Sequence, residues 1–226
     1  MNNISLLHHW LVGLRGGEKV LEQFFKIFPD APIHTLVLTQ KEDKLGKIIP
    51  KHPIITTALG AFPLSDKLYK TALPLYPLII CTHKVEGDFI LSSDASLLKG
   101  VNKKEWIPHV CYCHSPPRYL WDMQQDYLNS MHPAKAKIFE WITPYLRNFD
   151  QMGSNNVNHF IANSIYVKKR IKRIYNREST VIHPPVALDD FKYSQRSEDF
   201  YFMVSALVPY KRVDLAVEAF NKNGKK

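Results

Sequence analysis

A chain of 226 residues with 45% hydrophobic content has room for one packed domain and part of another. Its formal charge of +9 points to an anionic partner, whether a phosphate-bearing ligand, a membrane surface or nucleic acid. Three cysteines argue against a disulfide framework and for a reducing cytoplasm; no apolar run is long enough to span a bilayer, and Met1 to Trp10 lacks the pattern of a secretory signal.

Ile4 to Trp10 predicts a short buried strand. Gly13, Gly16 and Gly17 follow, and Glu18 to Phe28 shows helical spacing, with Val20, Leu21, Phe24, Phe25, Ile27 and Phe28 on its apolar face. Strand, glycine loop and helix form the opening unit of a nucleotide-type α/β domain, and free N–H groups at the helix start favour an anion. The spacing is not G-x-G-x-x-G, so a tight turn without a ligand is the alternative. Ile33 to Leu38 predicts a second strand, Lys41 to Lys51 a charged connection, and Ile54 to Leu59 an extended segment. Ser65-Asp66 has the chemistry to cap a helix from Lys67 to Leu73, and Pro74 and Pro77 should break the apolar run Leu73 to Cys81. Asp88 to Ser92 predicts a strand running into the polar Ser92-Ser93-Asp94, and Ile107 to Cys113 another. Strands and helices alternate, which favours a parallel sheet.

The stretch from Val110 to Asp122 begins as a β-run and stops at Pro116-Pro117, which cannot continue a ladder. His114 therefore stands at the C-terminal mouth of a central strand, where an open α/β sheet holds its ligand; the plainer role is to finish the strand. His109, Cys111 and Cys113 share one strand face, and Cys81 or His83 would extend such a set toward a soft metal. Buried core thiols are the simpler reading. Cys113 and His114 point to opposite faces and cannot form a nucleophile pair.

Helices are predicted over Trp121 to Met131 and over Ala134 to Asn155, the second interrupted at Pro144. Phe160 to Ala162 reads as a strand ending in Asn163-Ser164, with Ser164 capping a helix through Tyr175. Lys168, Lys169, Lys172 and Arg173 form that helix's basic face, either solvated or attracted to an anionic membrane. Thr180 to Ile182 is a short strand, Asp189 to Asp199 a polar boundary, Tyr201 to Leu207 a fresh strand and Val213 to Asn221 a fresh helix. Between these last two, Pro209-Tyr210-Lys211-Arg212 offers two cations at a helix start, suited to a diphosphate.

Gly16-Gly17-Glu18-Lys19-Val20-Leu21, Cys111-Tyr112-Cys113-His114 with Arg118-Tyr119-Leu120-Trp121-Asp122, and Ile161-Ala162-Asn163-Ser164 together resemble motifs of the retaining glycosyltransferases of family four. So do Val181-Ile182-His183-Pro184-Pro185-Val186 and Leu207-Val208-Pro209-Tyr210-Lys211-Arg212-Val213-Asp214. The likeness extends to the mannosyltransferase-type enzymes of O-antigen and other surface polysaccharides. It implies an α/β GT-B fold: residues 1–190 as a Rossmann-like acceptor-side domain with a parallel sheet, 191–199 as linker, and 200–226 as the first βα unit of a truncated donor-binding domain. The implied reaction is transfer of a hexose, mannose by likeness, from a nucleotide-diphosphate sugar to a lipid-linked or polysaccharide acceptor with retention. This chain alone is expected to be inactive.

The resemblance makes His114 the catalytic candidate. It assigns Gly16, Gly17, Lys211 and Arg212 to the donor phosphates, although Ala206 stands where the family places an arginine. Arg118, Trp121, Asp122, Asn163 and Ser164 are candidates on the acceptor or sugar side. No metal, cofactor or nucleic acid is expected, and the location would be cytoplasmic, at the inner face of the plasma membrane. A non-catalytic nucleotide- or partner-binding module is the alternative. A dinucleotide oxidoreductase is disfavoured by the missing glycine fingerprint.

Overall fold

The computed structural model describes residues 3–39, 41, 45, 46, 49–188, 192, 196, 198–208 and 211–224. Among the described residues nine strands are formed: β1 (Ile4–His8), β2 (Ile33–Thr35), β3 (Ile54–Thr56), β4 (Lys84–Val85), β5 (Phe89–Asp94), β6 (Asn102–Lys103), β7 (His109–Cys113), β8 (His159–Ala162) and β9 (Ser179–Val181). Seven of them make one sheet in the order β3-β2-β1-β5-β7-β8-β9, and every pairing in it is parallel. β4 and β6 form a separate parallel pair that the sequence pattern does not reveal, because two residues carry no period. The chain is a Rossmann-like α/β fold.

From β1 the chain winds outward through β2 and β3; from β5 it winds the other way through β7, β8 and β9. The order thus reverses between β1 and β5. In an open parallel sheet that reversal opens a crevice beyond the carboxyl ends of the strands.

Alternation along the strands supplies both faces of the sheet. Leu6, Ile33 and Leu91 pack under α1 (Gly16–Ile27) with Leu21 and Phe25. Leu7 and Ile90 point the other way, against Tyr76 and Ile80 of a second helix and Leu146 and Phe149 of a third. Cys111, Cys113, Phe160 and Ala162 meet Val167 and Ile171 of a helix that follows β8. Burying each large side chain fully stabilises by about 1.5–3 kcal/mol.

The remaining helices are α2 (Ser65–Leu68), α3 (Tyr76–Thr82), α4 (Gln124–Asn129), α5 (Pro133–Asn155), α6 (Ile165–Tyr175) and α7 (Val213–Asn223). α6 begins as its sequence predicts: the Ser164 hydroxyl accepts from the Val167 N–H at 3.2 Å. It ends at Asn176, whose φ of 53° is the left-handed conformation that asparagine tolerates after a helix.

Several local expectations give way to packing. α1 starts at Gly16, two residues before the predicted Glu18. Ser65 and Asp66 do not cap α2 but lie inside it, because Leu64 occupies the cap position with φ 59°. Asp66 instead accepts from the Thr39 hydroxyl at 2.9 Å. Leu73 to Cys81 is not simply broken: a 3-10 turn over Leu73–Leu75 leads into α3, where Pro77 occupies the first turn and its missing N–H has no helical partner to lose. α5 runs through Pro144 without interruption, held by the buried side chains of Phe139, Thr143, Leu146 and Phe149 on either side.

Tyr201 to Leu207 forms no strand. Phe202, Val204 and Leu207 are 81%, 83% and 88% exposed, and a lone segment with no ladder partner cannot satisfy its backbone as a strand. Most of the predicted boundary from Asp189 to Asp199 lies outside the described residues, as do Pro209 and Tyr210.

Candidate functional site

Three strands deliver polar residues to the crevice at the order reversal. β1 ends in His8 and runs on to His9, β5 ends in Ser93-Asp94, and β7 is followed directly by His114. The α1 N-terminus closes over them. A Cβ built on Gly17 would lie 3.2 Å from Cε1 of His8, tighter than an ordinary contact, and 3.5 Å from Nε2 of His114, an ordinary one, so glycine lets the helix approach His8 without shifting its ring. A Cβ on Gly16 would meet nothing within 4 Å. Packing therefore explains glycine at 17 and leaves 16 unexplained.

Hydrogen bonds through Ser93 link His8 and His114, and Glu18 lies beyond them. Ser93 Oγ lies 2.8 Å from Nε2 of His114 and 3.2 Å from Nδ1 of His8. His8 Nε2 faces the Glu18 carboxylate at 3.7 Å. Glu18 in turn accepts from the backbone N–H of Arg15 at 2.9 Å, which ties it to the start of α1. Behind them His9 Nδ1 approaches Asp94 at 3.7 Å, and Asp94 accepts from the N–H groups of Ser96 and Lys99.

Burial sets the charges. It pulls His114 down to about 4, with help from His8 and against Asp94 and Glu18, and pulls His9 down to about 3. Both imidazoles are neutral at physiological pH. Burial opposes ionisation of Glu18, but its contacts with His8 and the backbone outweigh that, and the carboxyl stays below its ordinary value. The thiols behind β7 are the reverse case: burial pushes Cys111 up to about 12. They are packing groups, and among the described residues no set of three or more His, Cys, Asp or Glu could hold a metal ion.

The predicted residues separate into groups. His114 and Gly17 come together, and Gly16 precedes Gly17 at the start of α1 with nothing within 4 Å of its Cβ position. Asn163 joins them from β8, its amide donating to the His114 carbonyl at 3.0 Å. Ser164 is the α6 cap and donates to Asn163 Oδ1 at 3.0 Å. Arg118 lies half-buried in the turn after Pro117, its carbonyl accepting from the Met123 N–H at 3.0 Å. Trp121 and Asp122 are engaged elsewhere. Trp121 Nε1 donates to Asp150 at 2.8 Å, within a buried set that includes Lys99 and Tyr175. Asp122 receives the guanidinium groups of Arg170 and Arg173.

On α6, Lys168 and Lys169 are exposed, Lys172 pairs with Glu178 at 2.9 Å, and Arg173 is held by Asp122. No described helix is long and apolar enough to cross a membrane. Lys211 and Arg212 precede α7; Arg212 pairs with Asp214 of the first turn at 3.0 Å.

His8, His9, Glu18, Ser93 and Asp94 are not singled out by the sequence reading. Their signal was present. The rule that marks His114, a polar residue ending a parallel strand, marks His8 and Ser93 equally once β1 and β5 are known to be neighbours. A second cavity of about 660 Å³ opens beyond β2 and β3, lined by Thr39, His52, Thr56, Leu64 and Asp66 among others.

No protein-family model and no curated protein matches the chain at a significant level. The chain is similar in structure to Anabaena Alr3699/HepE in complex with UDP-glucose, with a TM-score of 0.50 at 15% identity over 86% of this chain and 47% of that one. The same protein in complex with UDP gives 0.49 at 16% identity, covering 84% and 47%, and with UDP and glucose 0.49 at 14%, covering 85% and 47%. The chain thus spans about half the length of the solved structures it matches, and what the likeness establishes is the fold.

Proposed function

We propose that this chain supplies the acceptor-side domain of a GT-B glycosyltransferase that transfers a hexose from a nucleotide-diphosphate sugar with retention. The observation that carries the reading is Gly17 lying against His8 and His114 at the order reversal of the sheet. There the free N–H groups of the α1 start can meet a diphosphate, and a neutral imidazole can meet a sugar hydroxyl. The UDP and UDP-glucose complexes of HepE agree with a ligand of this kind. Residues 200–226 are then the first unit of the donor-binding domain; the exposed Phe202, Val204 and Leu207 are apolar surface that a sheet would cover. Lys211 and Arg212 would face the diphosphate from that side, with Arg212 leaving Asp214.

Charge separation defines the chemical task. As the bond from sugar to diphosphate breaks, positive charge grows on the anomeric carbon and negative charge on the leaving group. Cations and backbone N–H groups stabilise the second. His114 fixes the sugar so that the acceptor approaches in register. The cavity beyond β2 and β3 is the proposed acceptor site, and the acceptor is a lipid-linked or glycan hydroxyl. Mannose as the transferred sugar, and docking at the inner membrane face through Lys168 and Lys169, complete the reading.

The test is a screen of nucleotide-diphosphate hexoses, UDP-glucose among them, for transfer by a protein carrying this chain and a donor-binding domain. His114→Ala should cut turnover by about 100-fold while stability changes by no more than about 1–2 kcal/mol. Transfer at the parental rate by that variant would remove His114 from the mechanism. No transfer from any donor would leave a non-catalytic binding module.

A further inference from the structure

We infer that Glu18, His8 and Ser93 act as positioning residues that hold His114 in one tautomer, protonated at Nε2, so that its Nδ1 presents a bare lone pair to a hydroxyl of the ligand.

An ionised carboxylate only accepts. At 3.7 Å, Glu18 favours the His8 tautomer whose Nε2 carries the proton, because a lone pair turned toward the anion would be repelled. With a single proton on its fully buried ring, His8 then has its lone pair on Nδ1. The one hydrogen-bond partner of that atom among the described residues is the Ser93 hydroxyl at 3.2 Å, so its single proton goes to His8. Ser93 Oγ is left as an acceptor, and the group facing it at 2.8 Å is Nε2 of His114, which must therefore donate. One proton per link fixes the whole chain, and reversing any link reverses the rest.

The consequence lies at the other side of the His114 ring. Its Nε2 and Cδ2 face Gly17, at 3.5 and 3.8 Å from a Cβ built there. Nδ1 is the ring atom opposite that edge, and none of the hydrogen bonds found among the described residues involves it. A bare Nδ1 attracts O–H and N–H donors and repels phosphate and carbonyl oxygens. His114 would therefore read a hydroxyl and leave the diphosphate to other groups. This last step rests on the proposed sugar-transfer reading; the tautomer does not.

Long-range proton–nitrogen correlation spectra of the histidine-labelled chain at pH 7 read each ring nitrogen as protonated or bare, with His114→Ala and His8→Gln identifying the two rings. The expected result is Nε2 protonated and Nδ1 bare on both His8 and His114. Glu18→Gln can donate as well as accept, so it should convert His114 from one tautomer to an averaged mixture while the fold melts as a single transition. A parent spectrum with His114 protonated at Nδ1, or His8 protonated at both nitrogens, overturns the inference without any variant having to fold. An unchanged His114 tautomer in folded Glu18→Gln overturns it as well. Failure of sugar transfer would overturn only the proposed function.

Discussion

The side-chain amide of Asn163, at the end of β8, donates to the backbone carbonyl of His114 at 3.0 Å. Thus the backbone of His114 is fixed from one neighbouring strand, while its ring is fixed through Ser93 from another. Asn163→Ala removes the donor and leaves a part-buried carbonyl without a partner. It should cost about 1–3 kcal/mol in urea unfolding, whereas Asn163→Asp should cost at least as much by placing a second acceptor against the carbonyl. Parental stability in both variants would show that this bond does not hold the turn.

The two loop glycines should respond oppositely. Gly17→Ala drives a methyl to 3.2 Å from His8 and should destabilise by about 1–2 kcal/mol. Gly16→Ala meets open space in the first turn of α1 and should be neutral or stabilising by up to about 1 kcal/mol. If a diphosphate rests on this turn, Gly16→Ala should still weaken donor binding. Equal donor affinity in Gly16→Ala and parent would leave the loop with a packing role alone.

Acid should unfold the protein through its histidines. Burial lowers His9 and His109 to about 3, and His34 and His114 to about 4, from the ordinary 6.5. Between those values and 6.5 the unfolded imidazoles bind protons and the folded ones do not, so folding stability falls as pH drops. Each imidazole contributes a slope of about 1.4 kcal/mol per pH unit within that window, and none above it. Urea midpoints should be level from pH 8 to 7 and then fall steadily toward pH 5. A midpoint unchanged between pH 7 and 5 would contradict the assignment of neutral rings.

On α6 the cations should divide by their partners. Replacing Lys168 and Lys169 by Gln should reduce sedimentation with anionic vesicles, and the loss should shrink as salt rises. Arg173→Gln should act on stability instead, because Asp122 holds its guanidinium. Equal vesicle binding by the lysine variant and parent at low salt would make the basic face a solvated one.

The sequence by itself determined the elements whose cause is local. The Ser164 cap, the stripe of Val167 and Ile171, the β-run stopped by Pro116-Pro117 and the alternation that sends Cys111 and Cys113 away from His114 are all written within a few residues of where they act. Tertiary structure decided what depends on neighbours far along the chain. Pro144 remains helical because the packed residues around it outweigh one lost hydrogen bond, and Tyr201 to Leu207 is no strand because a ladder needs a partner. Above all, His8, Ser93 and His114 are brought together by a sheet order that places β1 beside β5 and β5 beside β7. Sequence spacing names the strand ends; only the order of the strands determines which ends share a crevice.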